Sequence, residues 1–243
     1  KFLIGESYGT TRASGLSGYL QERHGMYLNG ILLVSTVLDF GTIDFTPGNE
    51  PPYVLFLPTY AATAWYHGAL RIHQPLQTLL SEVQDFAVTV YAPALLKGDR
   101  LPIGERNAII KKLAQYTGLS SDYLQRSNLR VPDFHFFKEL LRGRGRTVGR
   151  LDSRFLGIDK DTLGEGTVND PSFTNIIGPY TAGFYDYIRR ELNFEKDISY
   201  EIITGKVQPW SYAEYENQHV YVGETLRNAM TINPHLKVFI ANG

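Results

Sequence analysis

Three apolar residues, Phe2-Leu3-Ile4, open the chain; the apolar run breaks at Gly5-Glu6-Ser7-Tyr8-Gly9, and a helix-compatible stretch continues to residue 20. The pattern predicts strand, sharp turn, helix. Residues 28–37 form a near-continuous apolar run rich in β-branched side chains, the signature of a buried parallel strand. Residues 39–52 are punctuated by Gly41, Pro47, Gly48, Pro51 and Pro52, which predicts a loop leaving the sheet. Pro75 can open a helix whose apolar face is Leu76, Leu79, Leu80, Val83, Phe86, Ala87, Val90, Tyr91 and Ala94. Further helices are predicted over 104–116, 121–127, 132–141 and 179–192, the last with Tyr180, Phe184, Tyr187 and Ile188 on one face. A helix over 223–232, closed by Asn233-Pro234, leads into a final strand over 236–241. An α/β beginning and an α/β ending thus flank a long helical middle.

The break at residues 5–9 has the form G-x-S-x-G, the nucleophile elbow that carries a serine between a strand and a helix. Glycine is expected at Gly5 and Gly9 because the turn is strained and its flanks lie close to neighbouring backbone. The turn lifts the Ser7 hydroxyl clear of the sheet and aims the Tyr8 N–H at a developing oxyanion. On spacing alone, an ordinary glycine-bounded turn explains Ser7 about as well as a nucleophile does.

Gly5-Glu6-Ser7-Tyr8-Gly9 resembles the active-serine motif of the serine carboxypeptidases, peptidases that remove the C-terminal residue of peptides at acidic pH. The resemblance extends through the small-residue helix after the elbow and the strand over 30–37. It returns at Asn233-Pro234-His235-Leu236-Lys237-Val238-Phe239-Ile240-Ala241-Asn242-Gly243, which looks like the helix-to-strand step before that family's catalytic aspartate. Between these ends it is carried by Leu57-Pro58-Thr59-Tyr60-Ala61-Ala62-Thr63-Ala64-Trp65-Tyr66-His67 and by Gly149-Arg150-Leu151-Asp152-Ser153-Arg154, which look like a bacterial-type member. The fold it implies is a partial α/β-hydrolase core with a large, mostly helical lid insertion. Core would occupy residues 1–47 and 219–243, and the lid residues 48–218, over the mouth above Ser7.

The resemblance implies roles for residues of the elbow. Ser7 is the nucleophile, Tyr8 gives one oxyanion donor and walls the pocket beside the scissile bond, and Glu6 binds the substrate's terminal carboxylate. A glutamate facing a carboxylate must hold a proton, so binding should weaken as pH climbs. The implied partner is a peptide with a free C-terminus, and no cofactor is required. In α/β-hydrolases the triad runs serine, acid, histidine along the chain, and here Gly243 stands at the end of the strand after which the aspartate is expected. The family's glycine-rich oxyanion loop precedes its elbow, and this chain has no Gly-Gly pair. The expectation is a middle section of a longer enzyme, nearly inert alone. The alternatives are a non-catalytic binding or scaffold piece, or an esterase or acyltransferase on the same elbow.

Composition fits a folded piece: 243 residues, 43% hydrophobic, 20% charged, net charge −1. That charge gives no reason to expect nucleic acid or an anionic membrane as partner, and no apolar run is long enough to span a bilayer. A second copy of the chain is the one further partner to consider, because a clipped sheet has edges to protect. The compartment is open: a leader ahead of these residues would make the protein secreted or periplasmic. With no cysteine the chain has no disulfide and no thiolate metal site, whereas eukaryotic carboxypeptidases are typically disulfide-bonded. None of His24, His67, His73, His135, His219 and His235 stands where the triad histidine belongs, and no metal spacing occurs among them. Asp159 to Asp170 faintly resembles a calcium loop, but Leu163 fills a ligand position, so a plain acidic loop is the better reading. Arg142, Arg144, Arg146 and Arg150 read as a solvated cluster after a helix. Tyr60, Trp65 and Tyr66 suit amphipathic packing better than a peptide pocket.

Overall fold

The computed structural model describes residues 1–71 and 73–242; Gly243, the last residue of the carboxypeptidase-like tail, lies outside them. In chain order, strand β1 (Phe2–Glu6) leads into helix α1 (Tyr8–His24) and strand β2 (Gly30–Val34). Helices α2 (Pro51–Tyr66), α3 (Leu76–Phe86), α4 (Ala92–Lys97), α5 (Ile103–Thr117), α6 (Ser121–Arg126) and α7 (Asp133–Glu139) follow. Two short strands, β3 (Thr147–Val148) and β4 (Leu156–Gly157), pair antiparallel before α8 (Pro171–Asp186). Helix α9 (Gly223–Ile232) and strand β5 (Lys237–Ala241) close the chain. The result is a mixed helix-and-strand protein with a small parallel sheet, divided into two compact units. One comprises Lys1–Pro52 with Pro209–Gly243, the other Tyr53–Gln208.

The first unit is built on the parallel sheet β1-β2-β5. Its register sets Glu6 beside Val34 and Val34 beside Ala241, so all three strands end at one edge. Ile31, Leu33, Leu226, Ala229 and Leu236 form the core with Ala13 and Leu28. Helix α1 buries small residues, Thr10, Thr11, Ala13, Ser14, Ser17 and Gly18, and that lets α9 approach closely. A Cβ at Gly18 would come within 2.5 Å of the Thr225 methyl. On the other face of the sheet, Ile4, Leu32 and Phe239 stand in one register row and are all exposed.

Strand β2 is shorter than its apolar run predicts. The chain leaves it at Ser35, whose φ is 51°, while the Ser35 N–H still bonds the Ala241 carbonyl. The Thr11 hydroxyl then donates to the Val37 carbonyl at 2.6 Å, and the Val37 N–H donates to Thr10 Oγ1 at 2.9 Å. The loop expected over 39–52 contains a 3-10 turn at Phe40–Thr42, and its two final prolines are the first residues of α2.

The second unit is helical, and it differs from the periodicity in three places. Helix α2 went unread because it is apolar all round and carries Pro58 inside; without a polar face there is no 3.6-residue signal. The helix from Pro75 holds one π-type turn, Ala87–Tyr91, just ahead of Pro93. Proline cannot donate to the carbonyl a turn before it, and widening that turn accommodates the missing bond. The extra residue rotates the face, so Val90 is 42% exposed while Tyr91, Ala94 and Leu95 are buried.

Helix α8 begins at Pro171, eight residues before Pro179, which lies inside it. Asp170 caps it: Oδ1 accepts from the Ser172 N–H at 3.0 Å, from the Ser172 hydroxyl at 2.5 Å and from the Arg150 N–H at 3.0 Å. The expected apolar stripe is largely outward here, with Tyr180 68% exposed. Burial opposes ionisation of Asp170, but the Ser172 hydroxyl and the N–H groups of Arg150, Ser172 and Phe173 outweigh it and hold the carboxyl below its ordinary value. A carboxylate lowered in the folded state stabilises fully above its unfolded value of about 3.9, and that contribution fades as pH falls through the folded value. Asp170→Ala should therefore cost about 1–2 kcal/mol at neutral pH, and the difference from the parent should shrink below about pH 4. Urea unfolding at pH 7 and pH 3 checks both; an equal difference at the two pH values would refute the ionised cap.

Candidate active site

The elbow is made by the end of β1 and the start of α1. The Ser7 N–H bonds the Val34 carbonyl at 2.9 Å, so the sheet ladder runs up to the serine itself. Its carbonyl accepts from the Thr10 N–H at 2.9 Å and the Thr10 hydroxyl at 2.6 Å. Between these restraints Ser7 adopts φ 52°, ψ −119°, a region that an L-residue with a Cβ populates only when its surroundings force it. Its side chain is exposed and makes no cap hydrogen bond, although it precedes the first helical residue.

Gly5 is a steric necessity. A Cβ there would lie 2.1 Å from the Gly9 carbonyl oxygen and 2.8 Å from the Thr10 nitrogen. Gly9 departs from expectation. A Cβ on it meets nothing within 4 Å outside its own helix backbone, so space alone does not demand glycine there. The tight contact runs one way, with the backbone of the helix's first turn lying over Gly5. The Tyr8 and Gly9 N–H groups stand in the first turn of α1, where the helix offers them no carbonyl, and the positive end of its dipole points at Ser7. Glu6, the last residue of β1, is exposed at the same sheet edge.

Beside the elbow stands an aromatic wall that no sequence spacing announces. The Tyr8 ring meets Phe40 edge-on at 6.2 Å and Trp210 at 5.7 Å, and Phe40 meets Tyr212 at 6.1 Å. Burial first, then the neighbouring Tyr8 phenol that hydrogen-bonds it, raise the Tyr212 hydroxyl above the ordinary phenol range. The Arg12 guanidinium lies over the Trp210 ring, 5.8 Å from its centre. Tyr8, Arg12, Trp210 and Tyr212 line a cleft of about 950 Å³ that starts at Tyr8 and Gly9 and follows α1 past Leu16 to Tyr19. Ser7 and Glu6, the neighbours of Tyr8 in the chain, are not among the residues that line it.

The chain was set beside known families, curated proteins and solved structures. None of them matches. The remaining candidates are therefore placed by the structure alone. His219 Nε2 lies 3.1 Å from Asp44 Oδ2, a half-exposed pair in the first unit. His67 Nε2 lies 2.6 Å from the Ser153 carbonyl, and Ser153 Oγ lies 2.8 Å from the Thr63 hydroxyl. The segment from Gly149 to Arg154 thus ties α2 to the start of α8, where Leu151 N–H also bonds Ser172 Oγ. His135 is 3.6 Å from Glu165, and the His24 ring packs against Tyr19. Among the described residues no histidine hydrogen-bonds Ser7.

In the loop from Asp159, the Asp159 carboxylate is taken by Lys138, and Arg142 bonds the Thr162 and Gly164 carbonyls. Arg144 bonds the His67 carbonyl. Tyr60 stacks on Phe136 at 4.1 Å, and the Trp65 N–H donates to the Gln74 carbonyl. Among the described residues no cluster of three or more histidine, aspartate or glutamate side chains is arranged for a metal. None of the described helices is long and apolar enough to cross a membrane.

Proposed function

We propose that this chain carries the nucleophile of a serine carboxypeptidase built on an α/β-hydrolase core. The observation that supports it most is the backbone of Ser7: a serine at φ 52°, ψ −119° between a parallel strand and a helix, over a glycine that tolerates no side chain. A nucleophile elbow needs a hydroxyl at this strained point, which accounts for a serine there.

In this reading the Ser7 hydroxyl attacks the carbonyl of the last peptide bond and the C–N bond breaks. The C-terminal amino acid leaves with the serine proton on its amine, and water hydrolyses the acyl-enzyme ester to free the shortened peptide and Ser7. The Tyr8 N–H and the positive end of α1 stabilise the tetrahedral oxyanion. Glu6, next to the nucleophile, shares a proton with the substrate's terminal carboxylate, and this favours acidic pH. The serine proton needs a base held by an orienting acid. The parallel register supports the family's arrangement, because a residue following β5 emerges at the same edge as Ser7, two strands and about 10 Å away.

The test is hydrolysis of a blocked dipeptide and of its C-terminal amide by the longest native form of the protein, from about pH 4 to 8. Cleavage of the free acid alone, strongest at low pH and lost in Ser7→Ala, is the expected result. Equal rates on acid and amide would remove the role given to Glu6 and leave an esterase-like or acyltransferase elbow. Activity that survives Ser7→Ala, or no activity in any form, would overturn the reading.

A further inference from the structure

We infer that Arg12 is a specificity residue: held against Trp210 in the cleft beside the elbow, it binds a carboxylate carried by the acyl side of the substrate. This rests on the reading of Ser7 as an acyl-accepting nucleophile. Tyr8 and Arg12 are four residues apart on α1, so both side chains leave the same face, about 6 Å apart along the axis. Trp210 touches both, meeting the Tyr8 ring at 89° and lying under the Arg12 guanidinium. Of the residues lining the cleft, Arg12 is the single cation and Glu214 the single carboxylate. Among the described residues Arg12 forms no ion pair, with Glu214 or any other acid.

A guanidinium held 5.8 Å above an indole face leaves N–H donors free on its outer side, and that fork suits bidentate carboxylate binding. The ring also restricts the side chain, so less freedom is lost when a ligand binds. The aromatic and aliphatic wall from Tyr8 to Tyr19 gives the rest of the ligand apolar surface. The class selected is therefore a peptide with an acidic side chain on the residue that is acylated onto Ser7.

Trp65 and Trp210 are the only tryptophans, so Trp65→Phe leaves Trp210 as a reporter inside the cleft. In this background with Ser7→Ala, which prevents turnover, N-acetyl-glutamyl-phenylalanine and N-acetyl-glutaminyl-phenylalanine are titrated by Trp210 fluorescence. The glutamyl peptide should bind about tenfold tighter, and Arg12→Gln should abolish the preference while leaving the glutaminyl peptide's affinity unchanged. Arg12→Lys should retain part of it. A purely structural role for Arg12 would weaken both peptides alike. Equal affinity for the two peptides in the parent, or a preference that survives Arg12→Gln, overturns the inference. Because binding is read without turnover, an Arg12-dependent preference stands even if the carboxypeptidase assay fails, and catalysis without a preference sinks only the subsite.

Discussion

Lys138→Met should cost about 3–5 kcal/mol of stability, the range for leaving one partner of a buried ion pair unpaired. Lys138 projects from α7 into the second unit, and its side chain and that of Asp159 are only 4% and 5% exposed. The ammonium sits 2.5 Å from Asp159 Oδ2 and 2.8 Å from the Asp161 carbonyl. Asp159 Oδ1 accepts the Lys160 and Val168 N–H groups at 2.9 and 3.2 Å, so one carboxylate folds the loop around the lysine. The Lys138 hydrogen bond, against the cost of burial, holds the Asp159 carboxyl below its ordinary value. The pair therefore contributes above the unfolded carboxylate value of about 3.9 and fades as pH falls through the folded one. Adding Asp159→Leu to Lys138→Met should recover most of the loss, because two apolar residues no longer bury a lone charge. Urea unfolding of the single and double variants, read by Trp65 in a Trp210→Phe background, decides it. A double variant no more stable than Lys138→Met would mean that the loop, not the charge, is what was lost.

Gly5→Ala should cost about 3 kcal/mol or more, at the upper end for overpacking, because the added methyl meets backbone and not a side chain that can turn away. The Gly9 carbonyl, 2.1 Å from that methyl, belongs to the first turn of α1, so relief requires moving the helix off the strand. The same movement would displace Ser7, whose N–H is tied to Val34 and whose carbonyl is tied to Thr10. Gly9→Ala is the control and should cost less than about 1 kcal/mol, since alanine suits a helix better than glycine. Unfolding read by Trp210 in a Trp65→Phe background tests both; equal losses would contradict the one-sided contact.

The pieces legible in the sequence are those whose signals are local. The glycines of the elbow, the strand before it and the helix after it lie within about twenty residues. Helix α9, with Asn233-Pro234 at its end, and strand β5 obey simple periodicity and stop rules. Helix α2 was hidden because every side of it is apolar, and the π-type turn because its cause, Pro93, acts on the turn before it. Pro179 has the form of a helix opener but lies inside α8, whose true start is Asp170-Pro171, a capping carboxylate followed by proline at the first helical position. The aromatic wall was out of reach altogether. Nothing about Trp210 or Tyr212 in the sequence states that the chain returns to Tyr8 after two hundred residues.

Ser7 and Ser35 end two adjacent parallel strands, and both sit in left-handed backbone where glycine would rest more easily. Mutation by chance offers many routes to a better-fitting residue, and a chain selected for durability alone would have taken them. In the reading proposed above, the serine at φ 52° marks a trade: the molecule forgoes on the order of 1 kcal/mol to keep one hydroxyl at the end of its first strand. Laboratory evolution for heat resistance alone, with no demand on chemistry, would be expected to erase that residue early, and the position it erased first would show where selection had been paying attention.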